Sequence, residues 1–210
     1  SWAKIDAGGY CVETTRVVMC TNGFVDHVIE NTTGPDITPL LHHRVDGDVG
    51  YMVGFLEEEV REPNALSFIR NEVIGGATPY VYVTTRPFQR ADRPAMLTCI
   101  GGPEDMLDDS AAYVAESGFP AEIIDEIDRD LLPLVSPSRQ PGCDYEYAWH
   151  GLMGYTESRV RLVGFEPKNP VLMYNLGCNG VGFLQSIFGG HRVSALHGGN
   201  DLGRSIFDPS

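Results

Sequence analysis

"YNLGCNGVGF", residues 174–183, sets Gly177, Gly180 and Gly182 around Cys178 and Asn179, directly after an apolar run. Residues 169–177 read as a short buried strand and 181–196 as a helix, so the glycines occupy a strand-to-helix connection. A helix amino terminus offers unpaired N–H groups and roughly half a positive charge, and glycine lets a ligand approach the backbone closely. The spacing is Gly-x-x-Gly-x-Gly, not the Gly-x-Gly-x-x-Gly of a dinucleotide phosphate loop, and no acidic residue follows at a strand end about 20 positions on. The pattern alone leaves two readings open: a tight connection, or a cradle for a flat or anionic ligand. The helix also carries Gly189-Gly190, about 2 kcal/mol less favourable than two alanines unless close packing offsets it.

Outward from this loop the order is strands, strand pairs with helices, strands, then the final helix. Residues 10–24, "YCVETTRVVMCTNGF", read as strands ending in a turn at Asn22-Gly23, with "VVMC" as a strand covered on both faces. Gly8-Gly9 reads as a turn, and 31–38 as a loop. Strands are expected at 49–56, 78–88 and 95–102, with a hairpin turn in "QRADRP" and Tyr80, Tyr82 and Thr84 alternating with Val81, Val83 and Thr85. Residues 57–71 stay ambiguous, since Pro63 prevents one continuous helix. Helices are expected over "EDMLDDSAAYVAESG" (104–118), from its acidic start, and over "PAEIIDEIDRDLLPLV" (120–135), whose stripe is Ile123, Ile124, Ile127, Leu131 and Leu132. Strands return at 146–156 and 158–167. This is not a regular βαβ array. It points to a split domain whose ends form one layer system and whose middle is an antiparallel-rich insert.

Composition narrows the function classes. A net charge of -14 over 210 residues argues against a nucleic-acid partner and against an anionic membrane surface. The five cysteines, Cys11, Cys20, Cys99, Cys143 and Cys178, are odd in number, widely spaced and without a CxxC, so neither a disulfide framework nor a zinc cluster is expected. A reducing, cytoplasmic setting fits. His42-His43 has no third ligand at useful spacing, so no metal is expected. No Gly-x-Ser-x-Gly is present.

With these residues in view, the glycine stretch resembles the carboxy-terminal flavin loop of the D-amino-acid-oxidase-like family of FAD-dependent oxidoreductases. Three further stretches are similar to that family in the same order: "VVMCTNGF" (17–24) to the strand passing the flavin nucleotide, "TPYVYVTTRPF" with "LTCIGGPED" to the paired substrate-domain strands, and "YAWHGLMGYTESRVRLVG" to the stretch before the flavin loop. "HRVDGDVGYMVGF" resembles the start of the substrate-domain sheet. The resemblance covers nearly the whole chain. It implies a mixed α/β (α+β) fold: a partial FAD-binding domain, plus a mostly antiparallel substrate-domain sheet with helices on one side. The implied bounds are 1–35 and 148–210 for the FAD domain and 36–147 for the substrate domain.

The implied function is oxidation of a small-molecule amine, amino acid or related substrate by hydride transfer to flavin. The glycine loop stands last because it serves the pyrimidine edge of the ring, where reduced flavin carries negative charge, and not the pyrophosphate. No Gly-x-Gly-x-x-Gly occurs in the 210 residues. The chain is therefore expected to be the carboxy-terminal portion of a longer enzyme, missing the amino-terminal FAD-domain segment, inactive alone and without FAD of its own. The other expectation is a folded, non-catalytic module. The resemblance assigns flavin contacts to Thr21, Asn22, Gly177, Cys178, Asn179, Gly180, Val181 and Gly182. Arg86 is the candidate carboxylate clamp, His150 the candidate for orienting or polarising substrate, and Tyr155 with Thr156 the candidate pocket floor. Asn179 is also a candidate for a hydrogen bond to ring or substrate. Each has a structural alternative: turn geometry for the glycines, a packed thiol for Cys178, a surface ion pair for Arg86 and a satisfied structural histidine for His150.

Overall fold

The computed structural model of the protein describes residues 1–69, 80–137, 139–142 and 144–210. Thr78 and Pro79 of the expected third strand, Cys143, and the His43 side chain lie outside what is described. The chain opens with a hairpin, β1 (Ala3–Ala7) and β2 (Tyr10–Thr14), turned by Gly8-Gly9 at φ 60° and 92°. β3 (Val17–Met19) leads to the Asn22-Gly23 turn.

The loop expected at 31–38 closes into a short helix, α1 (Thr38–Arg44), that runs straight into β4 (Val45–Glu57). The cap residue Ile37 makes no side-chain hydrogen bond, and Asp36 Oδ1 before it accepts from the Thr38 amide (3.0 Å). Burial of Ile37, Leu41 and Val45, spaced four apart, holds it, so tertiary packing makes a short helix whose local signals are only the proline in its first turn and the aspartate before it. The ambiguous tract after Pro63 is a strand, β5 (Asn64–Ile69), followed by β6 (Tyr80–Gln89) and β7 (Pro94–Met106).

The helix expected over 104–118 does not form. β7 continues through Gly101-Gly102 to Met106, and only a single 3₁₀ turn, Ser110–Ala112, follows. The acidic residues there have other partners: Asp105 accepts the Tyr51 hydroxyl (3.1 Å), and Asp109 Oδ1 accepts from the Ala111 amide (2.9 Å), capping that turn. An acidic start marks a helix only where an apolar stripe follows to bury it.

The second expected helix is present, in three pieces: α2 (Ala121–Glu126), a π turn over Ile127–Leu131, and α3 (Leu132–Val135). Pro133 has no N–H to continue the ladder, and the helix widens just before it. Ile123, Ile127, Leu131 and Leu132 are buried as the stripe predicts, and Ile124 is half-buried. The chain ends with β8 (Tyr147–Thr156), β9 (Leu162–Phe165), β10 (Leu172–Leu176) and α4 (Gly182–His197).

The chain forms two compact units. The first comprises Ser1–Asp48, Met106–Tyr113 and Leu152–Ser210, and the second Val49–Asp105 and Val114–Gly151. Against the expected bounds after residues 35 and 147, the chain leaves the first unit after Asp48 and re-enters it at Leu152, with 106–113 returning in between.

In the first unit a three-stranded sheet runs β3-β10-β9, with β3 parallel and β9 antiparallel to β10. All five residues of β10 are buried, as its unbroken apolar run requires of a strand covered on both faces. Leu172, Tyr174 and Leu176 pack with Met19, Val25, Ile37, Leu41 and Val45 on one face. Met173 packs on the other with Val163 and with Val193 of α4. A five-stranded sheet, ordered β5-β6-β7-β4-β8, accounts for most of the second unit, with β5, β6 and β7 paired antiparallel. Mixed α/β architecture with mostly antiparallel pairing is the fold class that the sequence implies.

Candidate functional site

β3 and β10 are parallel, so both present their carboxyl ends in the same direction, which is where open α/β sheets seat ligands. Each end turns through a left-handed residue: Asn22 at φ 56° after β3, and Gly177 (82°), Asn179 (48°) and Gly180 (75°) after β10. Asparagine tolerates this region because its short amide bonds locally; other side chains are strained there. Asn22 Oδ1 accepts from the Gly154 amide (3.2 Å) and the Cys178 amide (3.1 Å), while its Nδ2 donates to Leu152 O (3.4 Å). One side chain thus joins the end of β3, β8 and the glycine loop.

Asn179 makes the reciprocal stitch. Its amide donates to Gly154 O (3.0 Å), and its Oδ1 accepts from the Thr156 amide (2.9 Å) and hydroxyl (3.2 Å). Thr156 is buried. A Cβ on Gly177 would come within 2.6 Å of Thr156 Cγ2, and one on Gly182 within 2.7 Å of Cys178 Cβ. These glycines are demanded by contact as well as by backbone angle.

The loop delivers the chain to α4 at Gly182. Val181 occupies the cap position with no side-chain hydrogen bond, and no acidic residue stands in the first turn. The amides and partial positive charge of this helix end are therefore matched by no cap and by no acidic side chain of the helix's own first turn. Phe183 and Leu184 beside it are 80% and 75% exposed. Thr21 Oγ1, at the end of β3, is buried without a partner. An orphaned hydroxyl, a glycine cradle that a Cβ would fill and an uncapped helix end make a donor set suited to the electron-rich edge of a flat ring.

Beneath the loop lies Arg161, a residue that sequence reasoning did not single out. It is 5% exposed. Its Nε donates to Asn175 Oδ1 (2.6 Å), and its two terminal nitrogens to Asn175 O (2.9 Å) and Gly177 O (3.3 Å). Burial holds its pKa below the ordinary guanidinium value, and the nearby Cys178 and Cys20 act in the opposite direction. The available signal was a charged residue between Val160 and Leu162, in a stretch otherwise apolar.

Of the other sequence candidates, Tyr155 is half-buried under the Arg159 guanidinium, 4.7 Å from its ring centroid. Arg86 and His150 belong to the second unit and lie on opposite faces of its sheet. Arg86 is exposed and stands two residues before Phe88, whose ring meets Tyr147. His150, three residues after Tyr147, points to the other face. There it packs on Tyr51, and its Nε2 meets Ser117 O (3.0 Å) and Oγ (3.3 Å). The two side chains do not line one pocket. Among the described residues no group of three or more His, Cys, Asp or Glu is placed to hold a metal, and no helix is long and apolar enough to cross a membrane.

The stitch can be tested directly. Asn22→Ala is expected to destabilise the first unit by about 2 kcal/mol, from two amides losing their acceptor and a strained left-handed alanine. Asn22→Gly removes the same hydrogen bonds without the strain and should cost about 1 kcal/mol less. Equal urea midpoints for the two variants would remove the backbone part of this account.

Comparison with known proteins places these features. The chain is similar to glycine oxidase from Geobacillus kaustophilus, whose crystal structure it matches with a TM-score of 0.59 at 14% identity, over 98% of this chain and 48% of that one. The likeness is one of fold, and the chain spans about half the length of that structure. A comparison with curated proteins found no match. The family profile described as FAD dependent oxidoreductase (DAO) matches residues 3–196. The chain belongs to the DAO family of FAD-dependent oxidoreductases.

Proposed function

We propose that this chain is the carboxy-terminal part of an FAD-dependent oxidoreductase that oxidises a small amine, amino acid or related substrate by hydride transfer to flavin. The observation that carries the reading is the uncapped head of α4 behind a glycine loop pinned by Asn22 and Asn179, in a chain of the DAO family. Flavin, when bound, supplies the hydride acceptor. The chain's own part is to hold the ring edge and stabilise the charge that arrives there. Gly177, Gly180 and Gly182 let the backbone approach, and the first-turn amides of α4, which no side chain caps, are the donors for the edge. Thr21 adds a hydroxyl. Asn22 and Asn179 act as positioning residues, since their side chains are committed to the loop. Arg86 is the candidate clamp for a substrate carboxylate, which its planar fork suits. His150 is kept as the candidate for orienting or polarising substrate, and Tyr155 with Thr156 as the candidate pocket floor. Binding of the adenosine and pyrophosphate falls to a Gly-x-Gly-x-x-Gly unit outside these 210 residues.

This division predicts an unusual ligand series. Lumiflavin, which is the ring alone, and FAD should bind the 210-residue chain with dissociation constants within about threefold of each other, on the order of 0.1–1 mM, because only the ring finds partners. Gly177→Ala, strained at φ 82° and 2.6 Å from Thr156 Cγ2, should weaken both together. Flavin fluorescence reads the titration. Absence of quenching by either ligand would favour the second reading, a folded non-catalytic module. That reading draws on the missing glycine fingerprint and the half-length match.

A further inference from the structure

We infer that Arg161 is a fixed, uncompensated positive charge built under the glycine loop, which makes that loop a receptor for an electron-rich or anionic group and makes Arg161 its charge-positioning residue. A buried guanidinium is normally matched by a carboxylate, because desolvation of the ion is otherwise unrelieved. Here every hydrogen bond goes to a neutral amide oxygen: one from the Asn175 side chain and two from backbone carbonyls, of Asn175 and Gly177. Neutral acceptors solvate the ion and fix its orientation but leave its net charge intact. No ion pair to Arg161 is present among the described residues.

The surroundings hold that charge in place. Asn175, which takes two of the three bonds, is itself tied to α4 by donation from Nδ2 to Ser186 O (3.2 Å), and Gly189 of the same helix lies flush on its amide. The third bond ends on Gly177 O, the first carbonyl of the loop. The charge and the helix end therefore act on the same few residues, and their fields add. Flavin is one ligand that such a field would favour as it gains electrons. In naming that ligand the inference rests on the reading above, but the field itself does not depend on it.

The two neighbouring thiols serve as reporters, and no flavin is needed. Iodoacetate and iodoacetamide alkylate the same thiolate and differ chiefly in charge, so the ratio of their rates cancels thiolate fraction and access. Peptide-resolved mass spectrometry would give that ratio at Cys178 (half-buried) and Cys20 (exposed), with exposed Cys11 of β2 as the internal reference. Expected in the wild-type chain at low ionic strength is a Cys178 ratio about fivefold above that of Cys11, falling as salt is raised. Arg161→Met should remove most of the excess, and Arg161→Lys, which keeps charge and loses the fork, should keep most of it. A wild-type ratio no higher than at Cys11 overturns the inference. So does an excess that survives in folded Arg161→Met, or one lost in folded Arg161→Lys. Should Arg161→Met not fold, the wild-type ratio, its salt dependence and the lysine variant decide. A chain that binds no flavin yet shows the excess sinks the flavin reading alone, while flavin binding without the excess sinks only the role given to Arg161.

Discussion

Glu166→Gln is expected to lower the stability of the first unit by about 3 kcal/mol, the usual cost of breaking a buried ion pair from one side. Glu166 is 0% exposed at the end of β9. Its Oε2 accepts from Arg44 (2.6 Å) and from the Tyr174 hydroxyl (2.8 Å), and its Oε1 from the Lys168 amide (3.0 Å). Arg44 also donates to Ser210 O (2.8 Å), so the carboxylate ties α1, β9, β10 and the end of the chain into one network. Glutamine keeps the shape and removes the charge that both donors face. The pH dependence follows in sign. Burial alone would raise the carboxyl pKa, but the Lys168 amide, the Tyr174 hydroxyl and Arg44 together hold it below its ordinary value. A carboxylate depressed on folding contributes stability that is fully present above its unfolded pKa and is lost as pH falls through the folded one. Urea midpoints for wild type and variant should differ most at neutral pH and converge on acidification. A gap that is constant down through the acid range would show that Glu166 contributes by packing and not by charge.

The paired glycines of α4 should respond to alanine in opposite directions. Helix propensity gives the same expectation for both, a gain of about 1 kcal/mol each. At Gly190 nothing lies within 4 Å of an added Cβ, and that gain should appear. At Gly189 the Cβ would stand 2.7 Å from Asn175 Cγ and closer still to its Oδ1, the atom that accepts from Arg161 Nε. Either the helix moves off β10 or the amide turns away and leaves a buried guanidinium short of a partner. Overpacking and the loss of a charged hydrogen bond together set a cost of about 3 kcal/mol. Two chemical denaturation curves check this, and a stabilising Gly189→Ala would refute the packing argument.

These glycines also show where sequence reading stops. Their cost to the helix was legible, and so was the offset by close packing, but not which of the two is packed or against what. Strand runs at β4, β6, β7 and β10 were legible because burial on one or both faces leaves a period in the chain itself. The helix over 104–118 was misread for the converse reason. Acidic residues that look like a helix start were committed to a tyrosine hydroxyl and to a turn, partners set by the continuation of β7. α1 escaped notice because its stability comes from Ile37, Leu41 and Val45 meeting a core assembled from distant strands. Arg86 and His150 read alike as pocket candidates; strand parity and the Ser117 contact separate them onto two faces.

By itself the order of residues determined the family, the fold class and the strand, glycine loop and helix that close the first unit. Those depend on glycine spacing, apolar period and turn chemistry, all local along the chain. Only the tertiary structure decided which side chains pin that loop and what charge lies beneath it. Asn22 reaches Cys178 across 156 positions, and Arg161 becomes an uncompensated ion only when β10 and α4 close over it. Desolvation and hydrogen-bond satisfaction are properties of a surrounding, and a surrounding exists only once distant segments have packed.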